Sequence, residues 1–100
     1  MPAFENAYST LGVGERITEE ELIRAIRFFI AAEYEAVQMY TQIAESTDNK
    51  LAKAVLLDIA EEELVHAGEF LRLLKALKPD EWEKYKEGFK EVEEILEKLK

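Results

Sequence analysis

Apolar residues recur along most of the chain at alternating steps of three and four, the spacing of one face of an α-helix. Three such stripes follow one another, and each defines one predicted helix. The first helix runs to about Ser46, and its stripe consists of Leu22, Ile26, Phe29, Glu33, Ala36, Tyr40 and Ile43. The second runs from about Asn49 to Leu77, and its stripe consists of Leu56, Ile59, Glu63, His66, Phe70, Leu73 and Leu77. The third begins at Pro79, and its stripe consists of Trp82, Tyr85, Phe89, Val92, Leu96 and Leu99. No segment has the period of two expected of a strand, so the sequence predicts an all-α fold.

Turn and capping residues mark where the predicted helices begin and end. Thr18 and Glu21 have the spacing of a capping box, in which the two side chains satisfy free backbone amides at a helix start. Residues 46–49 are turn-forming or N-capping types, and so short a connection returns the second helix antiparallel to the first. Pro79 ends the second helix and lies in the first turn of the third. The sequence therefore predicts an irregular arm, residues 1–17, and a helical domain, residues 18–100.

The apolar surface of the second helix is wider than one partner helix would cover. A second apolar edge runs beside its stripe and consists of Leu57, Ala60, Leu64, Ala67, Leu71 and Leu74. More than two helices are therefore expected to meet there. A domain of 100 residues has limited room for a core of its own, so part of this surface is expected to pack against other copies. The stripe of the third helix is interpreted as internal packing or a subunit contact.

The composition argues against several classes of function. With 22 acidic and 13 basic residues the formal net charge is −9, which disfavours binding to a nucleic-acid backbone. The chain has no cysteine, which excludes disulfides and thiolate metal sites and favours a cytoplasmic location. No stretch approaches the roughly 18 consecutive apolar residues of a membrane-spanning helix, so no membrane partner is expected.

Three ionisable residues occupy stripe positions that favour apolar side chains, namely Glu33 on the first helix and Glu63 and His66 on the second. A buried carboxylate is costly, so it is usually neutralised, paired or bound to a cation. Glu63 and His66 are three residues apart on a helix, which directs their side chains toward a common point. A carboxylate with an imidazole suits iron, manganese or zinc better than magnesium or calcium. These three residues are therefore predicted metal ligands.

Each of these residues also has a simpler interpretation. Glu63 and His66 alone could form a surface ion pair, but Glu33 on the facing helix completes the core pattern of carboxylate di-metal proteins. Glu62 lies four residues before His66 and could replace Glu63 as a ligand, although its spacing favours the solvated side of the helix. Tyr40, two turns after Glu33, is either a core residue or a hydrogen-bond donor to a ligating carboxylate.

One chain supplies half of the ligand set of a di-iron bundle. Such bundles take a glutamate from each of two helices and a Glu-x-x-His pair from each of two others. His66 is the only histidine, so the chain has no second pair. Two chains related by a two-fold axis would place four glutamates and two histidines around two ions. Metal binding and dimerisation are then expected to be coupled, because the symmetry-related carboxylates repel each other without cations.

Two segments resemble a known family, the encapsulated ferritins, which are ferritin-like half-bundles packaged inside encapsulin nanocompartments. The segments are residues 32–40, AEYEAVQMY, and residues 62–67, EELVHA, with Ser46-Thr47-Asp48 between them. The resemblance covers roughly residues 23–85. It implies a ferritin-like antiparallel two-helix hairpin plus a C-terminal helix, which dimerises to form a site like that of a four-helix bundle.

The resemblance also implies a function, ferroxidase activity at a di-iron centre between two subunits, for iron storage or detoxification. By matching position, Glu33, Glu63 and His66 would bind iron, Tyr40 would be the tyrosine near the ligands, and Glu35 would belong to an outer ion site. The implied assembly is a homodimer that forms a larger ring, typically a decamer. The implied location is the cytoplasm, inside the compartment formed by the encapsulin shell protein.

The end of the sequence departs from the family pattern. Family members usually carry a C-terminal peptide that docks them to the shell, whereas this sequence ends in Glu97-Lys98-Leu99-Lys100. Either the chain is a domain cut from a longer fusion with a shell protein, as occurs in some members, or docking lies elsewhere.

Two other functions would use the same residues. A di-metal peroxidase of the rubrerythrin type, or a catalase, would have similar ligands, although rubrerythrins carry a Cys-rich electron-transfer domain and this sequence has no cysteine. A metal-free helical assembly module would keep Glu33, Glu63 and His66 as a polar cluster that shares a proton.

Overall fold

Three helices make up the part of the chain that the structure, a computed structural model, describes, which is residues 14–100. Helix α1 spans Glu19–Ser46, α2 spans Lys50–Leu77 and α3 spans Pro79–Lys98. The predicted all-α architecture of a hairpin plus a C-terminal helix is thus confirmed. Residues 1–13 of the predicted arm lie outside the described residues, and residues 14–17 precede α1 without forming a helix. No helix within residues 14–100 combines the length and apolarity needed to cross a membrane.

Side-chain caps fix the N-terminal ends of α1 and α2. The Thr18 hydroxyl accepts a hydrogen bond from the Glu21 amide at 3.0 Å, and the Glu21 carboxylate accepts one from the Thr18 amide at 2.8 Å. This is the predicted capping box. The Asn49 side chain accepts a hydrogen bond from the Ala52 amide at 2.9 Å and starts α2 directly after the turn. The connection between the two helices is therefore short, and α1 and α2 pack side by side as an antiparallel hairpin.

The best-buried apolar cluster lies where α3 joins the hairpin. It consists of Ile23, Ile26, Ile30 and Leu74, with Leu22, Phe70, Leu71, Leu77 and Tyr85 packed against it. Phe29 also contacts Phe70, with ring centroids 5.4 Å apart. This end of the hairpin thus holds the apolar core of the chain.

The residues that are buried on α1 and α2 are only partly those of the predicted stripes. Buried residues include Ile23, Ile26, Ile30 and Ala44 on α1 and Ala60, Ala67 and Leu74 on α2. The predicted stripe members Phe29, Ile43 and Leu73 are instead 39%, 56% and 42% exposed. On α2 the buried residues belong to the second apolar edge that the sequence predicts beside the stripe. The apolar surface is wider than a contact between two helices, so a single chain buries only one side of it.

A hydrogen-bonded network of three side chains anchors α3 to α1. The Arg27 guanidinium on α1 donates to the Glu81 carboxylate on α3, with Nε 3.2 Å from Oε2, and the Tyr85 hydroxyl donates to the same carboxylate. The hydrogen bond from Arg27 lowers the pKa of the Glu81 carboxyl. Burial, followed by the hydrogen bond to Glu81, raises the pKa of Tyr85 to about 12. Trp82 packs edge-on against Tyr85, and the Lys75 ammonium lies 5.5 Å from the centre of the Trp82 ring. The first turns of α3 are therefore tied to both helices of the hairpin.

We expect Glu81→Gln to lower the free energy of unfolding by about 1 kcal/mol at pH 7, because it weakens the charge-assisted hydrogen bond from Arg27. The folded-state pKa of Glu81 lies below the ordinary value of 4.5. The contribution is therefore complete above that value and is lost as the pH falls through the lower folded pKa. Urea unfolding in metal-free buffer at one protein concentration, repeated from pH 7 downward, measures it. Glu83→Gln, on the exposed side of α3, is the matched control, and an equal loss in both variants would contradict the assignment.

Candidate metal centre

Glu33 and Glu63 meet near the middle of the contact between α1 and α2. Both positions belong to the predicted apolar stripes, and both side chains are partly buried. On α2 the residues one turn before and after Glu63 are Ala60 and Ala67, which are buried. Because alanine side chains are short, they leave space between the helices that the two carboxylates enter. The local sequence thus provides a polar gap within an otherwise apolar contact.

His66 joins the two carboxylates from the next turn of α2. Its Nδ1 atom lies 3.6 Å from Oε2 of Glu63 and 3.7 Å from Oε2 of Glu33. Both distances are too long for a hydrogen bond. Two ligand atoms that share one ion with bonds of about 2.1 Å lie roughly 3 to 3.5 Å apart. One donor atom from each of the three residues lies within 4.8 Å of the others, so the spacing is close to that of ligands around a shared cation.

The environment of Glu33 also fits a cation. Its Oε2 atom is buried and has no hydrogen-bond partner. A buried acceptor without a donor is costly, and a carboxylate more so, because water no longer solvates the charge. The Glu33 and Glu63 side chains are 18% and 19% exposed, whereas that of His66 is 47% exposed. A cation bound between the three donors would satisfy the buried oxygen, and the donor set of two carboxylates and one imidazole is that of iron, manganese or zinc sites.

One side of the cluster is open. The His66 side chain is partly exposed, and so is Leu73, which lies two turns further along the same face of α2. A cleft of about 190 Å³ leads to the cluster and is lined by Glu33, His66, Glu69 and Phe70. An ion held by one chain would therefore keep open coordination positions on this side.

The other predicted site residues lie around this cluster. Tyr40 is half-buried on α1, two turns beyond Glu33, and its proposed hydrogen bond to a ligand stays a prediction. Glu35 is also half-buried, and its role in an outer ion site stays a prediction. Glu62 is exposed, as expected of a solvated charge. Among residues 14–100, the one group of three or more acidic or histidine side chains with ligand geometry is Glu33, Glu63 and His66.

Glu69 was missed by the sequence analysis as a residue of this site. It is exposed, as its polar position on α2 indicates, yet it borders the cleft that leads to Glu33 and His66. The spacing along α2 indicates this position, because Glu69 follows His66 by three residues and residues three apart share a helix face. Its carboxylate adds negative charge at the opening of the cleft.

The antiparallel hairpin with inward glutamates and a Glu-x-x-His pair defines this chain as a ferritin-like protein. A sequence model of the rubrerythrin family matches residues 22–100. A crystal structure of the encapsulated ferritin domain from Pyrococcus furiosus superposes with a TM-score of 0.79 at 37% identity, covering 90% of this chain and 91% of that one. The chain therefore belongs to the rubrerythrin family, and the resemblance to encapsulated ferritins is confirmed.

Two curated relatives are associated by name with encapsulins. A ferritin-like–encapsulin shell fusion protein of Pyrococcus furiosus is 41% identical over 78 residues. The encapsulin nanocompartment cargo protein EncC of Myxococcus xanthus is 39% identical over 69 residues. The matches cover 78% and 69% of this chain but 23% and 53% of these relatives, so the chain corresponds to one part of each longer protein.

We expect Glu33→Gln to raise the free energy of unfolding of the metal-free protein by up to about 1 kcal/mol, because it removes a buried charge that no donor satisfies. The same variant is expected to lose metal binding, measured by equilibrium dialysis against Co²⁺ or Fe²⁺. Urea unfolding with and without metal separates the two effects. Glu62→Gln, which changes an exposed neighbour of the site, is the control for both. If Glu33→Gln destabilised the metal-free protein by more than about 1 kcal/mol, the carboxylate would have a structural partner and the metal interpretation would fail.

Proposed function

We propose that this chain is a ferroxidase domain, which oxidises Fe(II) to Fe(III) at a di-iron centre completed by two copies of the chain. The observation that carries the proposal is the buried, unpartnered Oε2 of Glu33, close to Glu63 and to the Nδ1 of His66. Iron(II) is the substrate, and two ions would each give one electron to an oxidant of the oxygen or peroxide class. Membership of the rubrerythrin family supports an iron-related redox role.

Each residue of the cluster has a separate task in this proposal. Glu33 from α1 and Glu63 and His66 from α2 would hold an iron ion together, through one donor atom of each side chain. The negative charge of four carboxylates per dimer favours Fe(III) over Fe(II), which lowers the free energy of the oxidised product. The Tyr40 hydroxyl would orient a ligating carboxylate by hydrogen bonding. Glu35 and Glu69 would attract cations toward the opening of the cleft.

The second copy is proposed because one chain offers too few donors and leaves the cluster open. Two chains joined on the side of Phe29, Ile43 and His66 would bury the exposed apolar residues and bring two sets of ligands together. Such a dimer would close the ligand shell around both ions. Assembly of these dimers into a ring, with the decamer of the family as the expected form, belongs to the same proposal.

The compartment is inferred from the relatives. One of them is named as a fusion with an encapsulin shell and the other as an encapsulin cargo protein. We infer that this chain works inside an encapsulin compartment, either fused to the shell protein or docked to it. Two helices of a hairpin enclose no space for a mineral, so Fe(III) would be stored in the surrounding compartment.

We expect Glu63→Ala and His66→Ala each to abolish rapid Fe(II) oxidation while leaving helix content near that of the unsubstituted protein, because both side chains are only partly buried and touch the proposed ions. Loss of Fe(II) in air, followed spectrophotometrically, measures the rate, and circular dichroism measures helix content. Glu62→Ala is the matched control and should oxidise iron at the unsubstituted rate.

The same assay separates the alternative functions. A di-metal peroxidase would consume Fe(II) much faster with hydrogen peroxide than with oxygen, and a metal-free assembly module would bind no iron after anaerobic loading. Unsubstituted rates in either ligand variant would show that the ligand assignment is wrong.

We expect added Fe(II) or Co²⁺ to raise the oligomeric mass in solution, because cations relieve the repulsion between carboxylates brought together at a two-fold axis. Sedimentation velocity with and without metal, under anaerobic conditions for Fe(II), measures the change. Glu33→Gln should lose the metal-dependent increase. A mass that does not respond to metal in the unsubstituted protein would contradict the coupling of ion binding to dimerisation.

A further inference from the structure

The imidazole of His66 has two ring nitrogens, and one of them faces the carboxylates of the cluster. Its Nδ1 atom lies 3.6 Å from Oε2 of Glu63 and 3.7 Å from Oε2 of Glu33. Nδ1 is therefore the nitrogen placed to share a cation with these oxygens. Nε2 lies on the other edge of the ring, and its bonding direction points away from an atom bound at Nδ1.

A cation at Nδ1 would fix the state of Nε2. A histidine ligand is a neutral imidazole that gives one nitrogen to the metal, so its single ring proton lies on the other nitrogen. His66 would then carry its proton on Nε2 as a hydrogen-bond donor. Metal-bound histidines almost always donate this N–H to a carboxylate, a backbone carbonyl or water. The loaded centre therefore needs an acceptor beside Nε2.

Glu69 is placed to be that acceptor. It follows His66 by three residues on α2, so the two side chains share one face of the helix. Because the Cα–Cβ bonds of a helix tilt toward its N-terminus, the side chain of Glu69 extends over the turn that holds His66. Both residues line the cleft beside the cluster, together with Glu33 and Phe70. Phe70 has no side-chain acceptor and Glu33 would bind the ion, so Glu69 supplies the acceptor among these four.

The carboxylate of Glu69 is also available for this bond. Within residues 14–100 its side chain takes part in no ion pair and no hydrogen bond. The nearest basic residue along α2 is Arg72, one turn further on, and the two side chains are not paired. Glu69 is exposed, so it can change rotamer without displacing a packed neighbour. It therefore has no competing contact to give up when it turns toward the imidazole.

We propose that Glu69 is a positioning residue of the metal centre, whose carboxylate accepts a hydrogen bond from Nε2–H of His66 when Nδ1 binds the cation. This bond holds the tautomer and the orientation of the ring and makes Nδ1 a stronger donor to the ion. Glu69 itself does not touch the ion. The role rests on the metal centre of the proposed function, and it differs from a general attraction of cations because it needs an acceptor atom as well as a charge.

The test separates the acceptor atom from the charge. Glu69→Gln removes the charge but keeps a carbonyl oxygen that can accept the Nε2–H, whereas Glu69→Ala removes both. In equilibrium dialysis of the full chain against Co²⁺, Glu69→Ala should raise the dissociation constant about tenfold or more. Glu69→Gln should give an intermediate value, because a neutral acceptor makes a weaker bond than a carboxylate. Glu62→Ala removes the same charge from an exposed position one turn before His66, and this matched control should bind Co²⁺ like the unsubstituted protein.

Proton NMR of the Co²⁺-loaded protein gives a readout that a purely structural role would not move. His66 is the only histidine, so a cobalt-bound imidazole gives a single exchangeable ring N–H resonance, which the paramagnetic ion shifts and which disappears in D₂O. A hydrogen bond to residue 69 slows exchange of this proton with water. The resonance should stay sharp in the unsubstituted protein and in Glu69→Gln, and it should broaden in Glu69→Ala. Circular dichroism checks that helix content is the same in all variants.

Each outcome decides for or against the role of Glu69. Equal dissociation constants for Glu69→Ala and the unsubstituted protein, with a sharp resonance in both, would overturn the proposal and leave the metal centre in place. Equal losses of affinity in Glu69→Gln and Glu69→Ala would also overturn it, because the effect would then be one of charge alone. An unsubstituted protein that bound no Co²⁺ would instead overturn the metal centre itself, and the role of Glu69 with it.

Discussion

A carboxylate oxygen of Glu33 is buried between two helices and receives no hydrogen bond, and the arrangement of the site follows from that cost. A buried acceptor without a hydrogen-bond donor costs free energy, which weakens the metal-free hairpin at its centre. Evolution toward stability alone would replace it with an apolar residue, which the surrounding stripe would accommodate. Glu63 and His66 stand beside it at distances too long for hydrogen bonds, so the three side chains do not satisfy one another. A cation at this position, as proposed for the metal centre, would satisfy all three side chains.

The apolar core of the chain and the cluster that is proposed to bind metal lie in different parts of the hairpin. The isoleucine and leucine cluster packs where α3 joins the hairpin, and the network of Arg27, Glu81 and Tyr85 closes that end. The buried residues one turn before and after Glu63 on α2 are alanines, whose short side chains fill less of the contact between the helices. The large buried apolar residues thus lie toward one end of the hairpin, and the cluster of Glu33, Glu63 and His66 lies near its middle.

Incomplete burial explains why the chain is suited to assembly. Its apolar stripes are too wide for one hairpin to cover, so Phe29, Ile43 and Leu73 stay exposed beside the cluster and the end of α3 stays exposed beyond it. Association with further protein would remove these apolar residues from water.

The three helices, their caps and the three residues of the cluster could be predicted from the sequence. Thr18 with Glu21, Asn49 and Pro79 act within a few residues of chain, and Glu33, Glu63 and His66 stood out because charged side chains interrupted an apolar period. Such local signals need no knowledge of the rest of the molecule.

The packing of the helices against each other determines which side of each stripe one chain buries and which residues surround the cluster. The choice of Ile30 over Phe29, or of Leu74 over Leu73, depends on the relative rotation of two helices, and both members of each pair fit a helical period. The link from Arg27 to Glu81 joins residues 54 positions apart, and the place of Glu69 at the cleft depends on the neighbouring helix. Periodicity along one helix defines a face, but the contact between helices, which sequence spacing does not encode, determines what that face meets.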